Sequence, residues 1–435
     1  MNLKITHISA LQIFQLIRFS TLVLIGVVFT RSGLSATEIG QYETFLFLAG
    51  AVSFFWLNGL IQAFLPSVGE LSVSDKSSAL FNVFGLLAGF SLLTAGFVLL
   101  FENSVSGYLL NGSGIPFLKY LLIYLLVSSP ASLVEYIYLV RKQGRLMLIY
   151  GTVSFMLMFL LVVLPAVWGL DIQYCVAGLV VSSAFRLIWL LVLLFRNSIP
   201  VFDPEFILKH LKNAWPLIFS MLLSGSSQYI DGFIITSRFD EATFAVFRFG
   251  AREFPLVLIL ANAFSMSMLS DFSGQLNLKV NLEQIRTNSE KLGRWLFPLS
   301  GGMMLVSHWA FPRIFNTSFA ESATIFNIYL LLIVSRLLFP QTILIGLRKN
   351  QVIMWASFFE VVVNVTLSLL FMQFWGIAGV ACGTVCAYIF EKLLLAGVVH
   401  KNYGCRISDY LNVKQHLLYS LLLASEFFVI EYLIY

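Results

Sequence analysis

The feature that most constrains this chain is a series of apolar runs, each about 20 residues long, that recurs from one end of its 435 residues to the other. Wound as a helix, a run of that length matches the ~30 Å hydrocarbon layer of a bilayer, and in hydrocarbon only helices or closed barrels satisfy every backbone donor and acceptor. The runs lack the period-two alternation of a barrel strand. Charged residues make up 11% of the chain and apolar ones 59%, whereas a soluble domain is roughly a quarter charged. The expected fold class is therefore an all-α polytopic membrane protein with no soluble domain of its own.

Spans are expected at 10–31, 43–65, 79–101, 116–140, 146–168 and 173–195, a first block of six, and at 214–237, 244–270, 293–315, 323–346, 351–373 and 376–399, a second. A thirteenth, 416–434, follows alone; it carries Glu426 and Glu431, and whether it crosses the membrane or lies along the interface is left open. The clearest internal boundary is the stretch from Arg196 to Trp215, with two prolines and mixed charge between apolar blocks. This predicts an N-terminal six-helix lobe over 1–197, a cytoplasmic linker over 198–213, a C-terminal six-helix lobe over 214–400 and an extension over 401–435. In the segment from Asp271 to Arg294, Leu278, Leu282 and Ile285 stand among charges, the pattern of a helix lying on the membrane surface.

With the N-terminus inside, seventeen Lys and Arg fall in cytoplasmic segments, against Arg31, Lys119, Arg238 and Arg313 outside. Positive residues favour the cytoplasmic side of short loops, so the net charge of +5 is a topology signal and not a nucleic-acid footprint. The four cysteines, Cys175, Cys382, Cys386 and Cys405, show no CxxC spacing, which argues against a zinc site or disulfide framework. The first apolar stretch is interrupted by Arg18 and lacks a small-residue cleavage site, so it reads as a retained helix.

An internal repeat is also expected. Aligning Arg141-Lys142 on Arg348-Lys349, an offset of 207, places Val127-Ser128 on Val334-Ser335, and the turns before the second and eighth spans align at about 205. Both halves start on the same side, which makes the repeat parallel, related by a pseudo-two-fold axis along the membrane normal.

Charges at membrane depth cost several kcal/mol each and usually face a wet cavity or a partner. Those within expected spans are Arg18, Glu135, Arg186, Asp231, Arg248, Arg252, Glu253, Arg336, Glu360, Glu391 and Lys392. Arg186 has a bland reading as a snorkelling or paired residue, Glu391 and Lys392 sit near an inner end, and Arg248 is close to the outer surface, one helical turn before Arg252. Arg18, Arg252 and Arg336 lie deeper. An arginine fork binds phosphate oxygens bidentately, and three converging between two bundles would suit a pyrophosphate. Asp231, Glu253 and Glu360 are then counter-ions of the empty site, the favoured role, or proton and cation sites for coupling. Pro130, Pro255, Pro298 and Pro340 are expected to interrupt spans or to sit near their ends. Gly379 and Gly383 in GIAGVACG permit close helix approach. The chain has no GxxxxGK[ST], HExxH or GxSxG, which argues against an ATPase or a hydrolase.

Four phrases carry a family resemblance over residues 8 to 400: LIRFSTLVLIGVVFTRSGLSATEIGQYE in the first helix, PLIFSMLLSGSSQYIDGFII opening the second half, FAVFRFGAREFPL, and WGIAGVACGTV. In their order the chain resembles the Wzx-like polysaccharide and O-antigen flippases of the multidrug/oligosaccharidyl-lipid/polysaccharide (MOP) exporter superfamily. The resemblance implies two six-helix bundles around a cationic cavity that alternates between leaflets of the bacterial inner membrane. The cargo it implies is a polyprenyl-pyrophosphate-linked oligosaccharide, moved without enzymatic chemistry or a bound cofactor, with proton or sodium coupling. It further implies a monomer that works beside membrane lipids and other polysaccharide-assembly proteins. Arg18, Asp231 and Arg252 fall in the resembling phrases; Arg336 and Glu360 match by helix position only. The thirteenth span departs from the family pattern. The rival readings are a cation-coupled multidrug antiporter of the same superfamily, whose first helix typically carries an acid where this chain has Arg18, and an integral membrane glycan-modifying enzyme.

Overall fold

The computed structural model describes residues 7–70, 73–252, 278–347 and 349–434, and no strand occurs among them. In order come α1 (His7–Phe29), α2 (Ala36–Glu70), α3 (Val73–Leu100), the short α4 (Glu102–Leu109), α5 (Leu118–Ala131), α6 (Leu133–Val140), α7 (Gly144–Val167) and α8 (Ile172–Asn197). The chain continues through α9 (Pro204–Gly225), α10 (Ser227–Arg238), α11 (Glu241–Gly250), α12 (Leu278–Ile314), α13 (Ser322–Leu330), α14 (Ile333–Arg336), α15 (Pro340–Gly346), α16 (Asn350–Tyr403), α17 (Ile407–Tyr410) and α18 (Val413–Val429). Nine helical stretches among the described residues are long and apolar enough to cross a membrane, and one of these, α16, holds two expected spans. The eighth expected span, 244–270, lies largely outside the described residues.

The chain divides into two compact units, unit 1 comprising Met1–Tyr229 with Thr236–Ala245 and unit 2 comprising Ile230–Ile235 with Val246–Tyr435. In unit 1, α2 packs along α9, α1 along α7, and α8 against α5 and α7. Two of these contacts require glycine. A Cβ on Gly178 would stand 2.1 Å from the Leu161 carbonyl oxygen, and one on Gly59 2.8 Å from the Ile218 backbone nitrogen. The segment after α8 is stitched to α3 by Asn82, whose buried amide donates to the Val201 carbonyl (2.9 Å) and accepts from the Asp203 N–H (3.0 Å). Asp203 then caps α9 by accepting from the Phe206 N–H (3.0 Å), with Pro204 at the first helical position, where a missing N–H costs nothing. The helix therefore starts ten residues before the expected span at 214.

Unit 2 departs from expectation in two places. The amphipathic stretch expected on the membrane surface is, from Leu278 onward, the first part of the unbroken α12. Its apolar residues Leu282 and Ile285 are buried in a core with Leu337, Cys405, Tyr410 and Leu411, so protein and not lipid covers that face. Pro298 and Pro312 both lie within α12 without ending it, whereas Pro340 opens α15 at its first turn. In unit 1, Pro130 sits one residue before the end of α5.

The α16 segment reverses direction at Trp375-Gly376. Gly376, at φ 54° and ψ −132°, takes a conformation that side chains rarely adopt. Beyond it, Gly379 and Gly383 let the two arms touch: added Cβ atoms would lie 2.2 Å from the Phe371 oxygen and 2.5 Å from the Ser368 nitrogen. The close-packing role expected of this glycine pair is thus realised within one hairpin.

Local geometry also repeats. Gln143 and Lys349 each precede a helix with nearly the same dihedral angles (φ −97°, ψ 56° and φ −100°, ψ 48°), and each donates its N–H to the carbonyl five residues back, on Tyr138 and Leu344. Trp168-Gly169 and Trp375-Gly376 both carry a positive-φ glycine at a helix end, at the expected offset of 207 (168 to 375).

Candidate functional site

The reversal in α16 builds a cluster of oxygens in unit 2. Asn364 and Ser368 stand one helical turn apart on the first arm, and Val380 and Thr384 one turn apart on the second, so each pair shares a face and the hairpin brings the two faces together. Ser368 Oγ lies 2.9 Å from Asn364 Oδ1 and 3.2 Å from the Val380 carbonyl oxygen, and Thr384 Oγ1 lies 3.3 Å from Asn364 Oδ1. Asp231, 6% exposed on α10, closes the cluster. Thr384 donates to its Oδ1 (2.6 Å) and the Tyr329 hydroxyl donates to its Oδ2. The set contains a carboxylate, an amide oxygen, three hydroxyls and a backbone carbonyl. Such an all-oxygen set with a single negative charge is chemically suited to a proton or a small hard cation and unsuited to a soft metal. Asp231 was expected on sequence grounds; its hydroxyl partners were not, because nothing in the sequence spacing links residue 231 to 329 and 384. Glu360, one turn before Asn364 on the same arm, is 3% exposed.

The expected cations divide between the units. Arg18 lies midway along α1 in unit 1, exposed. An exposed guanidinium at that depth requires a wetted surface, because lipid would cost several kcal/mol. Arg248, Arg252 and Arg336 belong to unit 2 and are half-buried. Two of these rest on aromatic faces, Arg252 over Phe249 (4.8 Å to the ring centre) and Arg336 over Tyr388 (4.7 Å). An arginine on a ring face keeps its N–H edge in the ring plane's outward directions, which pre-orients it for an oxyanion. The expectation that Arg248 and Arg252 share one face of a continuous helix is corrected: α11 ends at Gly250 and Arg252 lies beyond it. Pro255 has no N–H to offer the carbonyl of Ala251, which favours a helix end there. Glu253 and Pro255 lie outside the described residues.

Arg186, with its bland sequence reading, and Glu135, to which the sequence assigned no role, prove to be organised in unit 1. Arg186 on α8 donates from Nε to the Tyr150 hydroxyl (2.9 Å) and stands over the Phe155 ring at 5.8 Å. Glu135 on α6 is 6% exposed and within electrostatic reach of both Arg18 and Arg186. Tyr138 and Trp189 pack beside the Tyr150 ring, the indole donating to the Tyr138 hydroxyl (3.0 Å). Proximity of 18, 135, 150 and 186 was not legible in the sequence, since they lie on four different helices.

The remaining membrane-depth charges are neutralised locally. Lys392 Nζ is 2.8 Å from Glu391 Oε2 and 2.8 Å from Gln341 Oε1, and Ser357 donates to Glu391. The extra C-terminal helix is present, and its two acids are accommodated. Glu431 accepts from His308 (2.8 Å), Thr324 (2.8 Å) and Asn327 (2.6 Å), while Gly301 on α12 leaves room for Glu426, whose Oε2 lies 2.6 Å from where a Cβ would stand.

No protein-family model matches the chain and no curated protein sequence matches it. Solved structures do. Lipid II flippase MurJ in its inward closed conformation aligns at a TM-score of 0.67 and 17% identity, over 96% of this chain and 92% of that one. The inward-facing conformation of a multidrug resistance MATE family transporter of the MOP superfamily aligns at 0.62 and 12% identity, over 93% and 95%. The Vibrio cholerae MATE transporter VcmN in its bent form aligns at 0.53 and 15% identity, over 96% and 97%. Alignment over nearly the full length of each, at identities this low, is a likeness of fold: the chain is a multi-pass membrane protein, all-helical among the described residues, with the fold of these solved transporters.

Proposed function

We propose that the protein is a flippase that carries a polyprenyl-pyrophosphate-linked oligosaccharide from the cytoplasmic to the outer leaflet of a bacterial inner membrane by alternating access, for assembly of a surface polysaccharide. Its N-terminus is cytoplasmic, and its helices form an N-terminal and a C-terminal lobe of six joined by the segment 198–213, with α18 added. The observation that carries this reading is the set of guanidiniums at membrane depth on a transporter fold, Arg18 in one unit and Arg248, Arg252 and Arg336 in the other, two of them laid on aromatic rings. Arginine is the side chain best matched to a pyrophosphate, and its gain is largest where water is scarce.

Energy comes from a proton or sodium ion bound at the oxygen cluster of Asp231, Asn364, Ser368, Thr384 and the Val380 carbonyl. A cation there would take the place of the Tyr329 and Thr384 protons at the carboxylate. The hairpin arms and α10 would then shift together, which couples ion binding to helix packing. Glu360 and Glu253 serve as counter-ions to the arginines.

The test is translocation in proteoliposomes of a short fluorescent oligosaccharide on a polyprenyl diphosphate, with and without a sodium or proton gradient. Gradient-dependent flipping lost in Arg18→Ala, Arg252→Ala and Arg336→Ala is the expected result. Full activity in all three variants, or export of a cationic dye in place of the lipid, would instead favour the multidrug antiporter.

A further inference from the structure

The proposed function leaves Glu135 and Arg186 without a role, and their surroundings are unusual. Glu135 Oε2 is buried and has no hydrogen-bond partner among the described residues. Among the described residues neither Arg18 nor Arg186 closes an ion pair with it, and the terminal nitrogens of Arg186 make no hydrogen bond; its Nε alone is used, by Tyr150. A carboxylate kept solely to neutralise two arginines would be drawn into contact with one of them. Here two cations and one anion lie within electrostatic reach without satisfying one another, the arrangement expected when a further ligand completes the set.

We propose that Arg18, Arg186 and Glu135 form a phosphoryl-binding subsite within unit 1, in which Glu135 stands in for the anion in the empty state and takes up a proton when the anion binds. The inference rests on the pyrophosphate reading above and adds which residues of unit 1 receive it and what accompanies binding. With Glu135 ionised, the three groups carry a net charge of +1. Protonated, they carry +2, which matches the two negative charges of a diphosphate diester such as a lipid-linked glycan. The proton comes from water, attaches to Oε2 and turns that oxygen from an acceptor into a donor, the role a phosphoryl oxygen requires of it. The groups that act on the pocket are Arg18 from α1, Tyr136 beside Glu135 on α6, Tyr150 from α7 and Arg186 from α8; α5 contributes Tyr124, which acts on Arg186, and α2 contributes none that acts on Glu135. Apart from the arginines, each is a tyrosine, so Glu135 is the one carboxylate in this set. Tyr150 and Phe155 act as positioning residues that hold the Arg186 fork in place.

The experiment is calorimetric titration of the full chain in nanodiscs with a glucosyl diphosphate diester of geranylgeraniol, which has no group titrating near neutral pH, with geranylgeraniol as the uncharged control, in buffers of different ionisation enthalpy. Wild type is expected to bind the diphosphate with uptake of about one proton. Glu135→Gln should bind several-fold tighter with no uptake, because the competing charge is gone while a donor remains. Arg186→Ala should weaken binding by roughly tenfold, the loss of a charged hydrogen bond, and Arg186→Lys should restore part of it. A purely structural Glu135 would give no tightening on Glu135→Gln. Binding of the diphosphate by wild type with Glu135→Gln unchanged or weaker, or with proton uptake persisting in that variant, overturns the subsite and leaves the flippase reading standing. No preference of wild type for the diphosphate over the alcohol overturns both.

Discussion

Asp231 and Glu431 in unit 2 and Glu135 in unit 1 are buried carboxylates held in opposite ways. In unit 2 both oxygens of Asp231 accept from hydroxyls, and both oxygens of Glu431 are used, one by His308 and Asn327 and the other by Thr324. In unit 1 Glu135 keeps one oxygen without a partner among the described residues. The internal repeat makes the contrast sharper. At an offset of 207, Asn364, Ser368, Val380 and Thr384 fall on Leu157, Leu161, Gln173 and Ala177, while Glu135 and Arg186 fall on Thr342 and Leu393. Each half has therefore lost, or never had, the polar set of the other. The same helical scaffold supports a saturated oxygen cluster on one side and an unsatisfied cationic one on the other. A saturated site holds a structure or a small ion, whereas an unsatisfied one marks where a larger ligand completes the valences.

That contrast can be broken by measurement. The largest effect is expected at Glu431: Glu431→Ala leaves His308, Thr324 and Asn327 without their shared acceptor and should destabilise unit 2 by about 3–5 kcal/mol, read as a lower unfolding temperature in detergent. A loss below about 1 kcal/mol would show that saturation in unit 2 is not structural. Next, Asp231→Asn keeps the shape of the cluster but removes its charge, and should weaken the cation dependence of transport roughly 10- to 100-fold, measured as the shift in half-saturating sodium or proton concentration.

A smaller effect is expected at a carboxylate on a helix end outside the spans. Asp240 accepts from the Thr243 N–H (2.8 Å), and hydrogen bonds from Thr243 hold its pKa below the ordinary 3.8. With the folded-state value depressed, its stabilisation is present above that ordinary value and fades as pH falls through the folded one. Asp240→Ala should cost about 1 kcal/mol at neutral pH and flatten the acid limb of a stability-versus-pH curve below about pH 4. The smallest change is expected at Glu135. Because its Oε2 makes no hydrogen bond to lose, Glu135→Gln should alter stability by less than about 1 kcal/mol, and a gain would agree with the idea that the empty pocket is unsatisfied. A loss as large as that of Glu431→Ala would erase the difference between the units.

Much of the fold was legible residue by residue. Apolar runs of membrane length placed α1, α7, α8 and both arms of α16 within a few residues and the end of α3 within one, because hydrocarbon leaves the backbone no alternative to a helix. Gly379 and Gly383 announced close packing, whereas the role of Gly376 in the reversal came from its backbone conformation. The boundaries that failed are those where packing competes with hydropathy. The amphipathic start of α12 carries the same pattern whether lipid or protein covers it, and only the contacts of Leu282 and Ile285 with Tyr410 and Leu411 decide which. Proline signalled a break at α15 and was tolerated within α12, since neighbouring side chains can satisfy a freed carbonyl in one setting and not in another.

For the candidate site, the sequence by itself determined which charges lie at membrane depth, since the cost of burying a charge makes each one conspicuous in an apolar run. Arg18, Arg252, Arg336, Asp231 and Glu135 could all be singled out on that ground alone. What only the tertiary structure decided is which of them meet. Asp231 finds Tyr329 and Thr384 across 98 and 153 residues of chain (231 to 329 and 384), with Asn364 reached through Thr384, and Glu135 and the two arginines within its electrostatic reach, Arg186 and Arg18, come from three helices. The physical reason is one of range. The cost of a buried charge is a local property of the residue and its immediate surroundings, whereas the partner that offsets it is chosen by helix packing, which no spacing along the chain encodes.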